Sequence, residues 1–429
     1  MEPIPPPAGT GLSLWVLPAL NSDMPQIAII TATPPGINPG MLACEATARL
    51  FAVRAGLVNY SVFFRLHHLA ERVAHVPDDV RQDVLACCEL GIPWQRLDDP
   101  SQLAGMVPLY WGDFLHMRRY LSAIAAVYPD GDRAVRNLLL LADSPEPVQR
   151  RAVSYGTSFL FNSTADFHDP EYGPAFRRFF NGLHHVQMRD ALSAAVVVGL
   201  RRRPENCFGI DPAQLLALPA YAAEILGTAN LPDADGRALV FVARARHSPG
   251  ALAAFLGSLS QATGTDLCWL PWGDRLSFPF LEDPPSGMFL LPIENDVPFG
   301  RLAPLLRSVA AANFVVTDTY HLAVVAWALG VPAIVLAGDY HQGERAGKQV
   351  DLRVRHDKRK VLLAQDGLLD FFVEPALIAD PTGRAAVVER LAATMADPEC
   401  GPSARRRLAE RAASSEAALV QAIAQSQTS

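Results

Sequence analysis

The sequence contains few residues of two types, cysteine and lysine. Six cysteines are scattered over 429 residues without a CxxC pair, which argues against a disulfide framework or a zinc site and favours a reducing, cytoplasmic location. Lysine occurs only three times, at Lys348, Lys358 and Lys360, among 37 basic residues. A lysine in so arginine-rich a chain either serves a site or belongs to a basic surface loop.

Other features are missing as well, and each argues against a class of protein. The formal net charge of −7 argues against non-specific nucleic-acid binding. No apolar run reaches about 18 residues, so no integral membrane segment is predicted. The N-terminus lacks a basic region before its apolar residues, so we expect no signal peptide. Half of the residues are hydrophobic, which is typical of a globular protein, and the length predicts two domains.

Short β-branched segments alternate with helical segments along the chain. Gln26–Thr31 and Ala238–Val242 each begin such a series. The alternation, found twice, predicts an α/β fold with two doubly wound parallel sheets facing a cleft. Two shorter segments have less regular patterns: 60–97 is predicted to be helical and connecting, and Cys207–Ile210 to be a short strand.

These patterns also suggest domain boundaries. We expect an N-terminal lead at 1–25, a first Rossmann-like domain at 26–229 and a second at 236–370. The residues from 371 to 429 are predicted to form C-terminal helices that pack back across both domains.

The most informative stretch begins at Val315. A buried strand is followed by a polar turn, a uniformly apolar helix at 322–329 and Gly330, which suits a left-handed helix end. Thr317 or Asp318 is predicted to accept the amide hydrogens that begin the helix. His321 would then lie near a helix N-terminus at the carboxyl end of a parallel strand, where α/β sheets bind ligands. The alternative is a polar capping turn with a hydrogen-bonded histidine.

Other polar or glycine residues follow predicted strands in the same way. Gly40 ends the loop after the first strand, where backbone amides could meet an anion, although loop geometry alone also explains it. Gly112 and Asp113 follow the strand 106–110, and Arg189 follows His185–Met188. Arg189 is predicted to point into the cleft, or else to form a local ion pair with Asp190 on its rim.

From about Asn38 to Val361 the chain resembles the polysaccharide pyruvyl transferase family, whose members have two Rossmann-like domains, as type-B glycosyltransferases do. Several landmarks stand in the family's order. They are Asn38-Pro39-Gly40, Tyr110-Trp111-Gly112-Asp113, Ser154-Tyr155-Gly156, Met188 to Ser193, Asp211-Pro212-Ala213, and Tyr320-His321 followed after eight residues by Gly330-Val331-Pro332.

The resemblance implies transfer of a pyruvyl group from phosphoenolpyruvate to hydroxyls of a sugar or related acceptor. It implies a small-molecule donor, a glycan or small-metabolite acceptor, and no cofactor besides the donor substrate. No metal-binding residues are predicted, and the sequence leaves metal dependence open. His321 would be the acid/base and Arg189 would hold the donor. Further substrate-binding residues are predicted at Asn38, Gly40, Gly112, Asp113, Arg244, Asp318, Tyr320 and Lys348.

The chain differs from the family at three points. Its first loop lacks the acidic residue that is frequent after Asn-x-Gly. Thr319 stands where many members carry an arginine, and His341 stands at the spacing of the family's lysine, so Lys348 serves only if 338–347 contains an insertion. Two alternative functions therefore stay open: a glycosyltransferase of the same architecture that uses a nucleotide sugar, and a non-catalytic binding relative. The sequence leaves the acceptor and the oligomeric state open.

Overall fold

The computed structural model describes residues 26–32, 39–57, 61–67, 74, 90–112, 115–116, 124–160, 164–201, 206–242, 248–272, 288–290, 302–338 and 357–426. Within these ranges two six-stranded sheets organise the chain, and every strand pair in them is parallel.

The first sheet uses the N-terminal half of the chain. Its strands are β1 Ile27–Thr31, β2 Ser61–Arg65, β3 Trp94–Arg96, β4 Val107–Trp111, β5 Val153–Thr157 and β6 His185–Met188. The helices described with it are α1 Pro39–Arg54, α2 Gly131–Leu139, α3 Glu146–Arg151, α4 Thr164–His168, α5 Tyr172–Gly182, α6 Ala191–Arg201 and α7 Pro219–Leu226, with 3₁₀ helices at Pro100–Leu103 and Pro212–Ala217.

The second sheet uses the C-terminal half. Its strands are β7 Arg237–Phe241, β8 Asp266–Trp269, β9 Phe289–Leu290, β10 Phe314–Thr317, β11 Ala333–Leu336 and β12 Phe372–Val373. The helices are α8 Pro249–Thr263, α9 Leu302–Ala310, α10 Tyr320–Ala328, α11 Lys358–Gln365, α12 Pro375–Ala379, α13 Pro381–Met395 and α14 Cys400–Gln425, with a 3₁₀ helix at Leu369–Phe371.

Both sheets have the same topology. The first has the order β3-β2-β1-β4-β5-β6, and the second has the equivalent order β12-β11-β10-β7-β8-β9 read from its other edge. The strand order therefore reverses between β1 and β4 and between β7 and β10, which is where doubly wound sheets bind ligands. The predicted fold of two Rossmann-like, doubly wound parallel-sheet domains is confirmed.

Burial explains why these segments form strands and helices. Every residue of β1, β4, β5, β10 and β11 is buried, as expected for parallel strands covered on both faces. All nine residues of α10 are buried as well. This helix packs against α1, α14 and the 3₁₀ helix Pro212–Ala217, which places it between elements of both halves of the chain.

Two predictions of secondary structure were wrong. The segment 60–97 contains β2 and β3, because Val62, Phe63 and Phe64 are apolar and pair in register with β1. Cys207–Ile210 is not a strand, because only Phe208 forms a bridge, to Met188, before the chain turns into the 3₁₀ helix.

The C-terminal segment connects the two halves. Strand β12 lies just beyond residue 370, so the second sheet extends past the expected boundary there. Helix α14, with 26 residues, packs against α10 in the second half and against β5 and β6 in the first. The domain boundaries as a whole stay predictions. None of the helices in the described ranges has the length and apolar character needed to cross a membrane.

Candidate functional site

The turn between β10 and α10 brings His321 to the junction of the two sheets. The Thr317 hydroxyl accepts a hydrogen bond from the Thr319 amide at 2.9 Å, and Thr319 occupies the N-cap position without a side-chain capping bond. Thr317 therefore closes the turn just before the helix by accepting the amide of the N-cap residue. The backbone carbonyl of Asp318 accepts a hydrogen bond from the Arg359 guanidinium.

Asp211 is the carboxylate that faces His321. It is fully buried at the N-cap of the 3₁₀ helix, where its Oδ1 accepts a bond from the Ala213 amide at 2.9 Å. Its Oδ2 lies 4.0 Å from His321 Nε2 and 3.4 Å from Arg189 Nη1. One carboxylate of the first half therefore contacts both side chains for which we predicted catalytic roles.

Arg189 lies at the end of β6 with no solvent exposure. Its Nε is 4.0 Å from Asp190 Oδ2, and Asp190 is itself held by the amide and hydroxyl of Ser193 at 2.7 and 2.9 Å. The local pair with Asp190 is therefore present, but it is not on a rim, because both side chains are buried. Arg189 is fixed between two carboxylates, a geometry that orients its planar guanidinium.

Tyr320 lies beneath two cations. The Arg189 Cζ is 4.4 Å from the centre of its ring, and the Lys358 Nζ is 4.6 Å from the same centre. The His321 ring meets the Tyr320 ring edge to face at 5.1 Å. We refer to Arg189, Asp211, Tyr320, His321 and Lys358 as the junction cluster, since the first two belong to the first half of the chain and the others to the second.

Gly40 allows the two halves to approach so closely. It is the second residue of α1, and a Cβ atom added to it would lie 2.0 Å from the Cβ of His321. Gly112 follows β4 and has a φ of 107°, and its amide donates to the Tyr155 carbonyl at 3.0 Å. That backbone conformation strains residues with a side chain, so Gly112 has a local structural reason to be glycine.

Four predicted site residues, Asn38, Asp113, Arg244 and Lys348, lie outside the described residues. Their roles stay predictions. Asp211 and Lys358 were not among the predicted site residues, although both could have been noticed. Asp211 opens one of the landmarks of the resemblance, and Lys358 is one of only three lysines.

Cys44 of α1 was also not predicted. Its Sγ donates to Asp211 Oδ1 at 3.7 Å, and the ligand atoms of Cys44, Asp211 and His321 all lie within 4.8 Å of one another. Sulfur, oxygen and nitrogen donors in this number suit zinc. However, Asp211 already contacts the positive charge of Arg189, which would repel a metal ion. We therefore interpret the three residues as part of a hydrogen-bonded junction.

Tyr155 lies at the same junction but does not suit proton transfer. Its pKa is raised far above the usual value, first by burial and further by the nearby carboxylates of Glu416 and Asp211. Its ring packs on Trp111 at 4.7 Å, and its hydroxyl accepts from Ser415 of α14 at 3.4 Å. The phenol therefore stays neutral and serves packing.

Several solved structures resemble the chain along most of its length. UDP-GlcNAc 2-epimerase from Neisseria meningitidis bound to UDP-GlcNAc is 11% identical, with a TM-score of 0.48 over 92% of this chain and 99% of the other. The UDP-GlcNAc 2-epimerase from Methanocaldococcus jannaschii is 11% identical, with a TM-score of 0.45 over 89% of this chain and 98% of the other. Arabidopsis thaliana UGT89C1 complexed with quercetin is 12% identical, with a TM-score of 0.42 over 94% of this chain and 100% of the other. The two sheets give the chain an α/β architecture of two Rossmann-like domains, the type-B glycosyltransferase fold.

The family is more specific than the class. The family model described as polysaccharide pyruvyl transferase matches residues 69–340, more than half of the chain. The protein therefore belongs to the polysaccharide pyruvyl transferase family and is a transferase. No curated protein sequence matches it significantly.

Proposed function

We propose that this transferase moves the pyruvyl group of phosphoenolpyruvate onto hydroxyls of a sugar or related small-molecule acceptor. The observation that supports the proposal is the junction cluster, in which His321 lies against the Asp211 carboxylate and against a tyrosine ring that two cations cover. His321 follows β10, which borders the switch point of the second sheet. A donor that carries a phosphate and a carboxylate needs fixed positive charge, and its methylene carbon needs a proton. The cluster contains groups suited to both tasks.

The proposed reaction adds two acceptor hydroxyls to the donor. The methylene carbon of phosphoenolpyruvate gains a proton, the two hydroxyl oxygens bond to its central carbon, and the bond from that carbon to the phosphate oxygen breaks. One hydroxyl proton balances the proton given to the methylene, and the other leaves with phosphate. The products are a cyclic ketal and inorganic phosphate, so no oxidant or reductant takes part.

His321 is the proposed acid/base of this reaction. Its side chain is 96% buried and faces the Asp211 carboxylate at 4.0 Å. A buried carboxylate beside a histidine orients the ring and stabilises its protonated form. Such a pair can hold a proton for the methylene carbon and later accept one from a hydroxyl.

Arg189 and Lys358 are the residues proposed to bind the donor. A guanidinium can bind a second carboxylate or a phosphate in a planar, bidentate geometry, and Asp211 and Asp190 hold that of Arg189 in place. Lys358 adds a compact charge from the second half of the chain, at the start of α11. Because Arg189 is completely buried, we expect the donor to enter when the two halves separate at the junction.

The first test is binding. Phosphoenolpyruvate is expected to raise the melting temperature of the protein more than UDP or GDP does. Arg189→Lys keeps the charge and loses the fork, so the dissociation constant for phosphoenolpyruvate should rise about tenfold to hundredfold, the equivalent of the roughly 1.5–3 kcal/mol of a charged hydrogen bond. Arg201→Lys is the control, because Arg201 is also buried but bonds to the Phe180 and Leu183 carbonyls at 2.9 Å.

The second test is turnover, measured as phosphate release with a panel of sugar acceptors. His321→Asn should keep the fold and lose roughly 10²–10⁴-fold in rate, as expected for a missing acid/base. Stabilisation by UDP or GDP without stabilisation by phosphoenolpyruvate would contradict the proposal and favour a nucleotide-sugar glycosyltransferase. Binding without turnover for any acceptor would favour a non-catalytic relative.

A further inference from the structure

A buried polar network lies directly behind Asp211, and the proposed chemistry does not use it. Its centre is Gln214, which is the third residue of the 3₁₀ helix and is 99% buried. Gln214 Oε1 accepts a hydrogen bond from the Asp211 amide at 3.1 Å, while the Asp211 carboxylate accepts from the Ala213 amide. Gln214 therefore closes the capping box that fixes the backbone and side chain of Asp211.

The same amide group contacts two other elements. Its Nε2 donates to Asp366 Oδ2 at 3.2 Å, and its Oε1 accepts from Arg411 Nη2 at 3.2 Å. Asp366 and Arg411 are themselves paired at 2.6 Å. Asp366 follows α11, the helix that begins with Lys358, and Arg411 belongs to α14. A single side chain thus joins the first half, the second half and the C-terminal helix.

We propose that Gln214 is a positioning residue of the junction site. Through the capping box it sets the Asp211 carboxylate, and Asp211 in turn sets Arg189 and His321. Asp366 and Arg411 hold Gln214 in the one orientation that serves this purpose, because they specify which end of its amide donates and which accepts. The expected effect of Gln214 on the turnover rate rests on the proposed function, whereas its effect on the position of His321 does not.

The chain contains a matched control for the capping box itself. Asp99, Pro100, Ser101 and Gln102 repeat the pattern of Asp211 to Gln214 and form a capping box on another 3₁₀ helix. There Gln102 is exposed and accepts from the Asp98 and Asp99 amides at 2.7 and 2.9 Å. A substitution at Gln102 therefore reports the cost of altering such a box away from the junction.

The test exchanges donor and acceptor at Gln214 without changing its shape. Gln214→Glu removes the Nε2 donor and places a second carboxylate against Asp366. Adding Asp366→Asn restores the hydrogen bond in the reverse direction, since the asparagine amide can donate to the new carboxylate at position 214. It also removes the repulsion between the two carboxylates. Gln102→Glu is the control variant. The full-length protein is labelled with ¹⁵N-histidine, and the His321 resonances, assigned by their absence from His321→Asn, are followed through a pH titration.

Gln214→Glu is expected to shift the His321 resonances and their titration, whereas the double variant returns them toward wild type and Gln102→Glu leaves them unchanged. In the kinetic assay, Gln214→Glu should lower the turnover rate about tenfold or more, as expected for displacement of reacting groups by a fraction of an ångström to 1 Å. If wild type itself shows no turnover with phosphoenolpyruvate, the proposed function fails, and the resonance shifts still decide the role of Gln214.

Two results would overturn the inference. The first is a folded Gln214→Glu protein whose His321 titration matches that of Gln102→Glu. The second concerns Arg411→Met, which removes one of the two groups that hold Gln214. Arg411 is only partly buried, so this variant is the replacement test if Gln214→Glu does not fold. His321 resonances that are unchanged in folded Arg411→Met would show that the network does not reach the site.

Discussion

Gly40→Ala tests the contact between the two halves of the chain most directly. The added Cβ would lie 2.0 Å from the Cβ of His321, whereas ordinary contact between such atoms needs about 3.5–4 Å. Helix α1 or α10 must therefore move by about 1.5 Å. Forcing an extra methyl group into a packed interior costs roughly 1–3 kcal/mol, and displacing a catalytic group by about 1 Å can cost about 10²-fold in rate.

The assays are the free energy of unfolding and the rate of phosphate release. Gly257→Ala is the control, because Gly257 lies within α8 and a Cβ there would meet none of the described atoms within 4 Å. The control should gain up to about 1 kcal/mol from helix propensity and keep its rate. The reasoning is refuted if Gly40→Ala also gains stability and keeps its rate, since α1 and α10 would then not be in the observed contact.

A double-mutant cycle sharpens this test. His321→Gly removes the opposing Cβ, so Gly40→Ala should cost less stability in that background than in wild type. The helix penalty of the new glycine cancels in the cycle, which leaves the coupling between the two positions. A coupling near zero would place the cost of Gly40→Ala somewhere other than His321.

Two further predictions concern stability in the first half. Burial lowers the pKa of His116 from 6.5 to about 3, so the unfolded state binds one more proton below pH 6.5 and stability falls as the pH drops, by about 3 kcal/mol near pH 4. His116→Phe should lose this acid dependence in denaturant titrations at pH 7 and 4; equal dependence would contradict the assignment. The Arg65–Glu45 ion pair is 2.9 Å long, and both side chains are 98% buried. Arg65→Met should therefore lower the free energy of unfolding by about 3–5 kcal/mol, and adding Glu45→Gln should recover part of that loss. Arg150→Met, which removes an exposed ion pair, should change stability little, and similar losses at the two arginines would contradict the prediction.

The burial of helix α10 explains where the junction cluster forms. A helix buried on all sides needs apolar neighbours all round, and α1, α14 and the 3₁₀ helix provide them from both halves. The polar first turn of α10 is then held in a dry environment, in which charge pairs and hydrogen bonds are stronger than in water. The site is therefore a product of the contact between the halves.

The sequence alone determined the position of His321 within its domain and most of the strands of both sheets. The strand, turn, apolar helix and glycine from 314 to 330 are local patterns of burial and period, and they placed His321 at the carboxyl end of β10 with Gly330 at a φ of 82°. The alternation of strands and helices likewise predicted both sheets. Where such a pattern was weak, as in β2 and β3, the prediction failed, because pairing with neighbouring strands decided the outcome.

Only the tertiary structure decided what His321 faces. Asp211, Cys44 and Gly40 come from other elements, and Lys358 reaches the same ring as Arg189 from the start of α11. Hydrophobic period reports which face of an element is buried, but not which distant element covers it. The physical reason is that the junction forms when several buried helices pack together, and a contact of that kind depends on the complementary shapes of all of them.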